Sequence, residues 1–173
     1  MILTLVRHGE SVSNVAGRWQ GQGDAALSER GREQAGALAR RMAEASFDRI
    51  VSSDLRRAAE TADALGRPVV RDRAWREIDL GRWEGLTREE VGERFPEEVA
   101  ATRNDREHPV GGAESWADLE RRVVAALHRL AHDAAGERVL LVAHGGVVIT
   151  LLSALMGTPE LQPRRLGKIG NTS

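Results

Sequence analysis

Five side chains along the chain have the types needed to bind and attack a phosphoryl group. Arg7 and His8 directly follow a short apolar run, and so, after two serines, an aspartate and a leucine, does Arg56. Glu77 lies in an irregular segment, and His144 ends the most apolar run of the chain. Arginine offers a rigid fork of donors to phosphate oxygens, and a neutral imidazole is a nucleophile. A carboxyl group can protonate a leaving oxygen and then activate water. Together these residue types predict phosphoryl transfer.

The apolar runs are short and continuous, as expected for strands buried on both faces of a sheet. They lie at residues 2–6, 50–51, 69–70 (a weak candidate) and 139–143. Helical patterns alternate with them, which favours a largely parallel sheet. We therefore predict an α/β three-layer sandwich with a mostly parallel central sheet and helices on both faces. Ligands of such sheets bind outside the carboxyl ends of the strands, where the five side chains would meet.

Helix start and stop signals divide the rest of the chain. Ser28 is a predicted N-cap, Gly66 a predicted helix end, and Thr87 opens a capping-box pattern that stops before Pro96. The expected helices cover 28–45, 54–66, 87–95, 119–130 and 147–155, and the last of them should be deeply buried because it lacks a polar face. Residues 7–27 and 96–113 lack periodicity and are expected to be loops.

Composition limits the kinds of partner that the chain can have. A length of 173 residues without a linker or repeat predicts a single domain over residues 1–173, and the net charge of −1 gives no reason to expect nucleic acid. No uncharged run approaches the ~18 residues of a membrane span, and the short apolar start does not resemble a signal peptide. We therefore expect a cytoplasmic protein without a membrane partner. Cysteine and tyrosine are absent, so neither can be the nucleophile.

Several motifs, in order, resemble the histidine phosphatase superfamily, also called phosphoglycerate mutase-like. The matching segments are Arg7-His8-Gly9-Glu10-Ser11 with Asn14, Arg18-Trp19-Gln20-Gly21, Ser52-Ser53-Asp54-Leu55-Arg56-Arg57-Ala58 with Thr61, Arg76-Glu77-Ile78 with Gly81, Trp83-Glu84-Gly85, and His144-Gly145-Gly146. Residues 111–115 also resemble the glycine-rich segment of that family, with Ala113 inserted. The resemblance covers nearly the whole chain.

The resemblance implies a role for each matching residue. His8 would be the nucleophile that becomes phosphohistidine, and Glu77 would be the proton donor. Arg7, Arg56 and His144 would form the phosphate pocket. A further set would line the substrate phosphate and its surroundings, namely Asn14, Gln20, Gly21 and the backbone of Gly145. No metal and no organic cofactor is implied.

The same resemblance leaves a choice between phosphatase and mutase. Mutases of the family have arginine and tyrosine just after the glutamate, where this chain has Ile78 and Leu80. They also have a longer, basic insertion before the second histidine. We therefore expect a phosphomonoesterase acting on a small phosphorylated metabolite. Phosphoglycerate mutase-type transfer and a non-catalytic protein that binds a phosphorylated ligand remain the alternatives.

Three further features have simpler interpretations. Arg57 is expected to be a solvated helix residue beside Arg56. His128 and His132 have the i, i+4 spacing of metal ligands, but no third ligand accompanies them, so a solvated helix face is favoured. Relatives often add an edge strand after the equivalent of residues 171–173, so a chain truncated there, or part of a longer protein, is expected. A partner, as in a homodimer, could cover that edge.

Overall fold

A parallel sheet of four strands forms the centre of the computed structural model, which describes residues 1–157 and 169–173. Within those residues the strand order is β1-β4-β2-β3, and each neighbouring pair is parallel. The strands are β1 (Ile2–Arg7), β2 (Arg49–Ser52), β3 (Val70–Arg71) and β4 (Arg138–Ala143). The prediction of a mostly parallel sheet is confirmed.

Seven α-helices in the described residues connect and cover these strands. They are α1 (Val12–Val15), α2 (Glu29–Arg41), α3 (Arg56–Asp63), α4 (Arg88–Arg94), α5 (Pro96–Asn104), α6 (Trp116–Asp133) and α7 (Gly145–Leu155). Ser28 caps α2 and Thr87 forms a capping box with Glu90, as predicted. In α7, Val147 and Leu151 are fully buried, whereas Leu155 is exposed, so the prediction of deep burial holds only for its first two turns.

The sheet separates two hydrophobic cores because successive strand side chains point to opposite faces. In β4, Leu141 packs in the core that α6 and α7 cover, and Leu140 packs in the core of α2 and α3. Val139 to Ala143 are all inaccessible to solvent, so β4 is buried on both faces. The predicted three-layer sandwich is therefore confirmed.

Two segments expected to be loops contain helices. Residues 96–104 form α5, which buries none of its residues and therefore leaves no apolar periodicity. Its signals are Pro96 at the first helical position and two glutamates in the first turn, both typical of helix starts. The single turn α1 begins with a capping box between Ser11 and Asn14. Among the described helices, none is long and apolar enough to cross a membrane.

Candidate active site

The ends of the two central strands place the two predicted histidines side by side. β1 ends at Arg7 and β4 ends at Ala143, and the backbone N–H of His8 donates to the Ala143 carbonyl at 3.0 Å. The ring centroids of His8 and His144 are 5.2 Å apart, with their planes tilted by 58°. Parallel pairing of β1 with β4 therefore joins residues that are 136 positions apart in the sequence.

His8 is buried, and one hydrogen bond settles which ring nitrogen can react. Its Nδ1 lies 2.6 Å from the carbonyl oxygen of Gly9, and a carbonyl can only accept, so Nδ1 carries the proton. In the neutral ring, Nε2 then keeps its lone pair. Burial, helped by the charges of Arg57 and Arg7, lowers the pKa of His8 to about 3. The imidazole is therefore neutral and nucleophilic around neutral pH.

Close backbone packing holds the loop that carries His8. The N–H of Gly9 donates to the Thr61 hydroxyl at 3.0 Å, and that hydroxyl donates to the Arg57 carbonyl at 2.6 Å. A Cβ on Gly9 would lie 2.7 Å from the carbonyl oxygen of Gly31, a distance that only glycine avoids. The first turn of α2 and the Thr61 side chain of α3 thus fix the position of the loop.

Arg57, and not Arg56, reaches the pocket. Arg56 begins α3 with an exposed side chain that pairs with Glu60 at 2.6 Å, so its predicted place in the phosphate pocket is wrong. The Arg57 side chain is buried and donates to the carbonyls of Gly23 at 2.7 Å and Gly21 at 2.8 Å. The expectation that Arg57 is solvated is wrong too. Adjacent helix residues project about 100° apart, so Arg57 faces the interior while Arg56 faces solvent. Burial lowers the pKa of Arg57 to about 10, which leaves it charged.

Arg7 supplies the second guanidinium. Burial lowers its pKa and the charge of Glu77 opposes that effect. Its Nη1 donates to the carbonyl of Ile169 at 2.7 Å, while its Nε is buried without a partner among the described residues. The backbone of Arg7 also bonds the segment at 171–173, through Thr172 N–H at 2.9 Å. The last described segment therefore lies against β1 and helps to orient Arg7.

The carboxylate of Glu77 is held between two backbone donors. Ile78 N–H donates to Oε1 at 3.0 Å and Gly146 N–H donates to Oε2 at 2.9 Å. A side chain on Gly146 would displace this carboxylate, so glycine at this position in the first turn of α7 lets Glu77 keep its place. The tertiary fold thus places Glu77 in the cavity that His8 also lines, with its carboxylate at the start of α7.

Arg122 in α6 holds the segment before Glu77, a contact that sequence reasoning missed. Its guanidinium donates to the carbonyls of Ala74 and Arg76, both at 2.9 Å, and to the Glu77 carbonyl at 3.3 Å. It also pairs bidentately with Glu114 at 2.8–2.9 Å. The available signal in the sequence was Glu114, near the glycine-rich segment, but no local sequence pattern identifies Arg122 as its partner.

His144 is completely buried beside His8. Neither ring nitrogen has a hydrogen-bond partner among the described residues. Burial and the charges of Arg57 and Arg7 lower its pKa well below the usual value, so the ring is neutral. Leaving both nitrogens of a buried imidazole unpaired is destabilising. A bound anion would relieve this, because its oxygen could accept from the ring N–H or its hydroxyl could donate to the other nitrogen.

Three of the four predicted substrate-binding residues, Asn14, Gln20 and Gly21, line the cavity of His8, whereas Gly145 is not among its lining residues. The side-chain oxygen of Asn14 accepts from Ser11 N–H at 3.2 Å, and that of Gln20 accepts from the Ser11 hydroxyl at 2.7 Å. Each amide group is thereby oriented with its NH₂ unpaired within the described residues. Gly21 adopts φ +50°, the left-handed region, and its carbonyl holds Arg57. Gly145 begins α7 against the Arg7 side chain.

These side chains line one cavity of about 280 Å³. Its walls include the following residues: Arg7, His8, Asn14, Gln20, Gly21, Arg57, Glu77, Ile78, Leu80 and Gly146. One wall thus carries two cations and a neutral imidazole, the pattern expected for an anion that is attacked. The two histidines considered as metal ligands, His128 and His132, lie exposed on α6, and no described cluster of three or more suitable side chains could hold a metal ion.

Comparison with known proteins agrees with this geometry. The model of the histidine phosphatase superfamily (branch 1) matches residues 3–173. The chain belongs to this superfamily. The predicted resemblance is confirmed, and the phosphatases among the chain's relatives make it a phosphatase of the histidine phosphatase type.

Individual relatives resemble the chain over most of their lengths. Glucosyl-3-phosphoglycerate phosphatase of Mycolicibacterium vanbaalenii is 42% identical over 182 residues, covering 99% of this chain and 81% of the relative. The probable phosphoglycerate mutase GpmB of Yersinia pestis is 40% identical, covering 94% and 78%. The structure of the mycobacterial glucosyl-3-phosphoglycerate phosphatase with VO3 has a TM-score of 0.86 at 38% identity, covering 98% and 88%.

Proposed function

We propose that this histidine phosphatase hydrolyses a small phosphorylated metabolite through a phosphohistidine on His8, with Glu77 as the proton donor. One observation carries the proposal. The neutral His8 ring, whose Nδ1 is occupied by the Gly9 carbonyl, lines the same cavity as Arg7, Arg57 and Glu77. A nucleophile, two fixed cations and an acid in one cavity are the components of phosphoryl transfer.

In the first half-reaction, Nε2 of His8 attacks phosphorus and the bond to the ester oxygen breaks. Arg7 and Arg57 stabilise the charge on the equatorial oxygens, and one nitrogen of His144 contacts the same group. The protonated carboxyl of Glu77 gives its proton to the leaving oxygen, which departs as an alcohol. The product on the enzyme is phosphohistidine, with Glu77 now a carboxylate.

In the second half-reaction, Glu77 accepts a proton from water as that water attacks phosphorus. The bond between phosphorus and Nε2 breaks, inorganic phosphate leaves, and His8 returns to its neutral form. Because Ile78 and Gly146 donate to the two carboxylate oxygens, Glu77 stays in place for both proton transfers.

Water, and not a retained phosphoglycerate, is the proposed acceptor. Ile78 and Leu80 line the cavity beside Glu77, and both are buried. Neither side chain offers a hydrogen-bond donor that would hold a second anionic molecule beside Glu77. Mutase activity is the second candidate because a relative at 40% identity is named for it.

Steady-state and quenched-flow assays of His8→Asn and Glu77→Gln test the proposal. The His8 variant should release no phosphate from any monoester and carry no base-stable label after mixing with a ³²P-labelled substrate. The Glu77 variant should lose about 10²–10⁴ in kcat on an alkyl ester, and much less on p-nitrophenyl phosphate, whose leaving group needs no proton.

His132→Asn, an exposed histidine on α6, is the matched control and should behave as the wild type. Normal turnover by His8→Asn would refute the covalent route. Isomerisation of 3-phosphoglycerate without net phosphate release would favour a mutase. Binding of phosphorylated ligands by the wild type without turnover would leave only a binding protein.

A further inference from the structure

A second cavity of about 470 Å³ adjoins the phosphate pocket. Trp19 and Trp116 line both cavities, so the two share a wall. Its volume lies within the usual range for small-molecule sites, about 300–1,000 Å³. A group bonded to the phosphate through its ester oxygen could therefore extend past these two tryptophans into the second cavity.

Aromatic and aliphatic side chains form the inner surface of this cavity. Trp83 packs edge-on against Trp19, with ring centroids 5.6 Å apart and an interplanar angle of 79°. Val91, Val99 and Val110 complete the apolar surface. Rigid indole rings in such positions favour a flat, weakly polar face on the ligand, such as an aromatic ring or the C–H face of a sugar.

The indole Nε1–H of Trp83 lacks an acceptor among the described residues, and the residue is only 3% exposed. A buried donor without a partner is destabilising. A ligand oxygen within the cavity is the kind of group that would accept this hydrogen bond. The ring that occupies the cavity is therefore expected to carry oxygen substituents.

The charged side chains that line the cavity indicate which further group the ligand carries. Arg88 at the start of α4 and Arg103 near the end of α5 both line the cavity, and among the described residues no acidic side chain does so. Neither guanidinium has a hydrogen bond or ion pair within the described part of the chain, although the neighbouring Arg82 pairs with Glu98. Two unpaired guanidiniums beside an apolar surface suit a carboxylate, which arginine binds bidentately.

We infer that the substrate is a monoester whose leaving group combines a ring and a carboxylate, with the ring against the tryptophans and the carboxylate on Arg88 and Arg103. This inference rests on the proposed function, since it assigns the leaving group of the same reaction. Both arginines act on substrate choice and take no part in breaking the bond to phosphorus.

Four monoesters separate recognition of the ring from recognition of the carboxylate. Phenyl phosphate and 4-carboxyphenyl phosphate have the ring without and with the carboxylate, and glycerol 3-phosphate and 3-phosphoglycerate lack the ring. We expect kcat/KM to be highest for 4-carboxyphenyl phosphate. The ratio of its kcat/KM to that of phenyl phosphate should be about tenfold or more, the size of one charge-assisted hydrogen bond.

Arginine variants test whether Arg88 and Arg103 cause this preference for the carboxylated ester. Arg88→Ala and Arg103→Ala should each lower it severalfold, and the double variant should bring it close to one. Arg88→Lys should retain part of it, because the charge remains while the bidentate geometry is lost. Arg129→Ala is the matched control, since Arg129 is an exposed arginine on α6 outside the cavity.

The outcomes separate this inference from the proposed function. If none of the four esters is hydrolysed, the proposed function fails. If all are hydrolysed but the ratio is near one, or if both arginine variants leave it unchanged, the assignment of the second cavity is wrong while the phosphatase remains. A higher rate on glycerol 3-phosphate than on either aryl ester would overturn the role of the tryptophans.

Discussion

Comparing the single variants Arg57→Ala and Arg56→Ala tests which of the two adjacent arginines binds the phosphoryl group. Arg57 is 1% exposed and donates to the carbonyls of Gly21 and Gly23. Arg56 has a side chain that is 58% exposed and pairs with Glu60 one turn along α3. Because the two positions share one helix turn, a general effect of removing charge from α3 would appear in both variants.

The two variants are expected to differ in stability, and in kcat by orders of magnitude. Truncating Arg57 leaves two carbonyls without their donor, at about 1–3 kcal/mol each when buried. Partial access to water keeps the total near 2–4 kcal/mol, which lowers Tm by about 4–16 °C in a chain of this size. Removing one fixed donor from the transition state should lower kcat by about 10²–10³. An exposed i, i+4 pair such as that of Arg56 contributes about 0.3–0.5 kcal/mol.

Initial rates on phenyl phosphate, competitive inhibition by vanadate and thermal unfolding measure these effects. Arg57→Lys keeps a charge without the fork, so a folded protein with kcat reduced at least tenfold is expected even if Arg57→Ala unfolds. Arg56→Ala should stay within about twofold of wild type in kcat/KM. Equal losses of kcat/KM in the two alanine variants, or normal vanadate inhibition of the Arg57 variants, would refute the assignment.

Two further predictions concern the nucleophile and the segment that carries the acid. The pKa of His8 is about 3 in the folded protein and about 6.5 when unfolded, so the unfolded chain binds more protons between these values and stability falls as pH drops through that window. Between pH 7.5 and 5 this amounts to about 2 kcal/mol, and denaturant unfolding of His8→Asn should show a correspondingly smaller pH dependence; an identical dependence would contradict the inference of a buried neutral ring. Arg122→Met removes the guanidinium that bonds Glu114 and the Glu77 carbonyl, so kcat on an alkyl ester should fall at least tenfold with little change in KM, and Arg122→Lys should recover part of it. A loss equally large on p-nitrophenyl phosphate would show that Arg122 does not act through Glu77.

Much of the fold could be predicted because local signals agree with the tertiary structure. Continuous apolar strands indicated a parallel sheet, and the capping residues Ser28 and Thr87 marked helix starts that the structure retains. α5 was missed because it buries none of its residues and so has no apolar periodicity. Its start signals are weaker, since one proline and two glutamates occur in many loops as well.

Residue types and their order determined the chemistry, since only a few side chains can attack, clamp or protonate a phosphate ester. Arg7, His8 and His144 could be selected on those grounds because they stand at the ends of the two central strands, and Glu77 because it is a carboxylate in the irregular segment after the short, exposed strand β3. No such ground separates Arg56 from Arg57, which have the same type and adjacent positions. Their difference arises from a rotation of about 100° along α3, which only packing against the loop at 21–23 converts into burial or exposure.

Long-range contacts explain the other features of the site that the sequence did not predict. Arg122 bonds a segment 45 residues away, and the cavity beside Arg88 and Arg103 is completed by tryptophans from three separate segments. Pairing over such distances depends on how whole elements pack, and no local periodicity encodes it. The sequence alone therefore determined the parallel sheet and the candidate reacting groups, whereas the tertiary structure decided which of the two arginines reaches the cavity and which side chains line the cavity beside it.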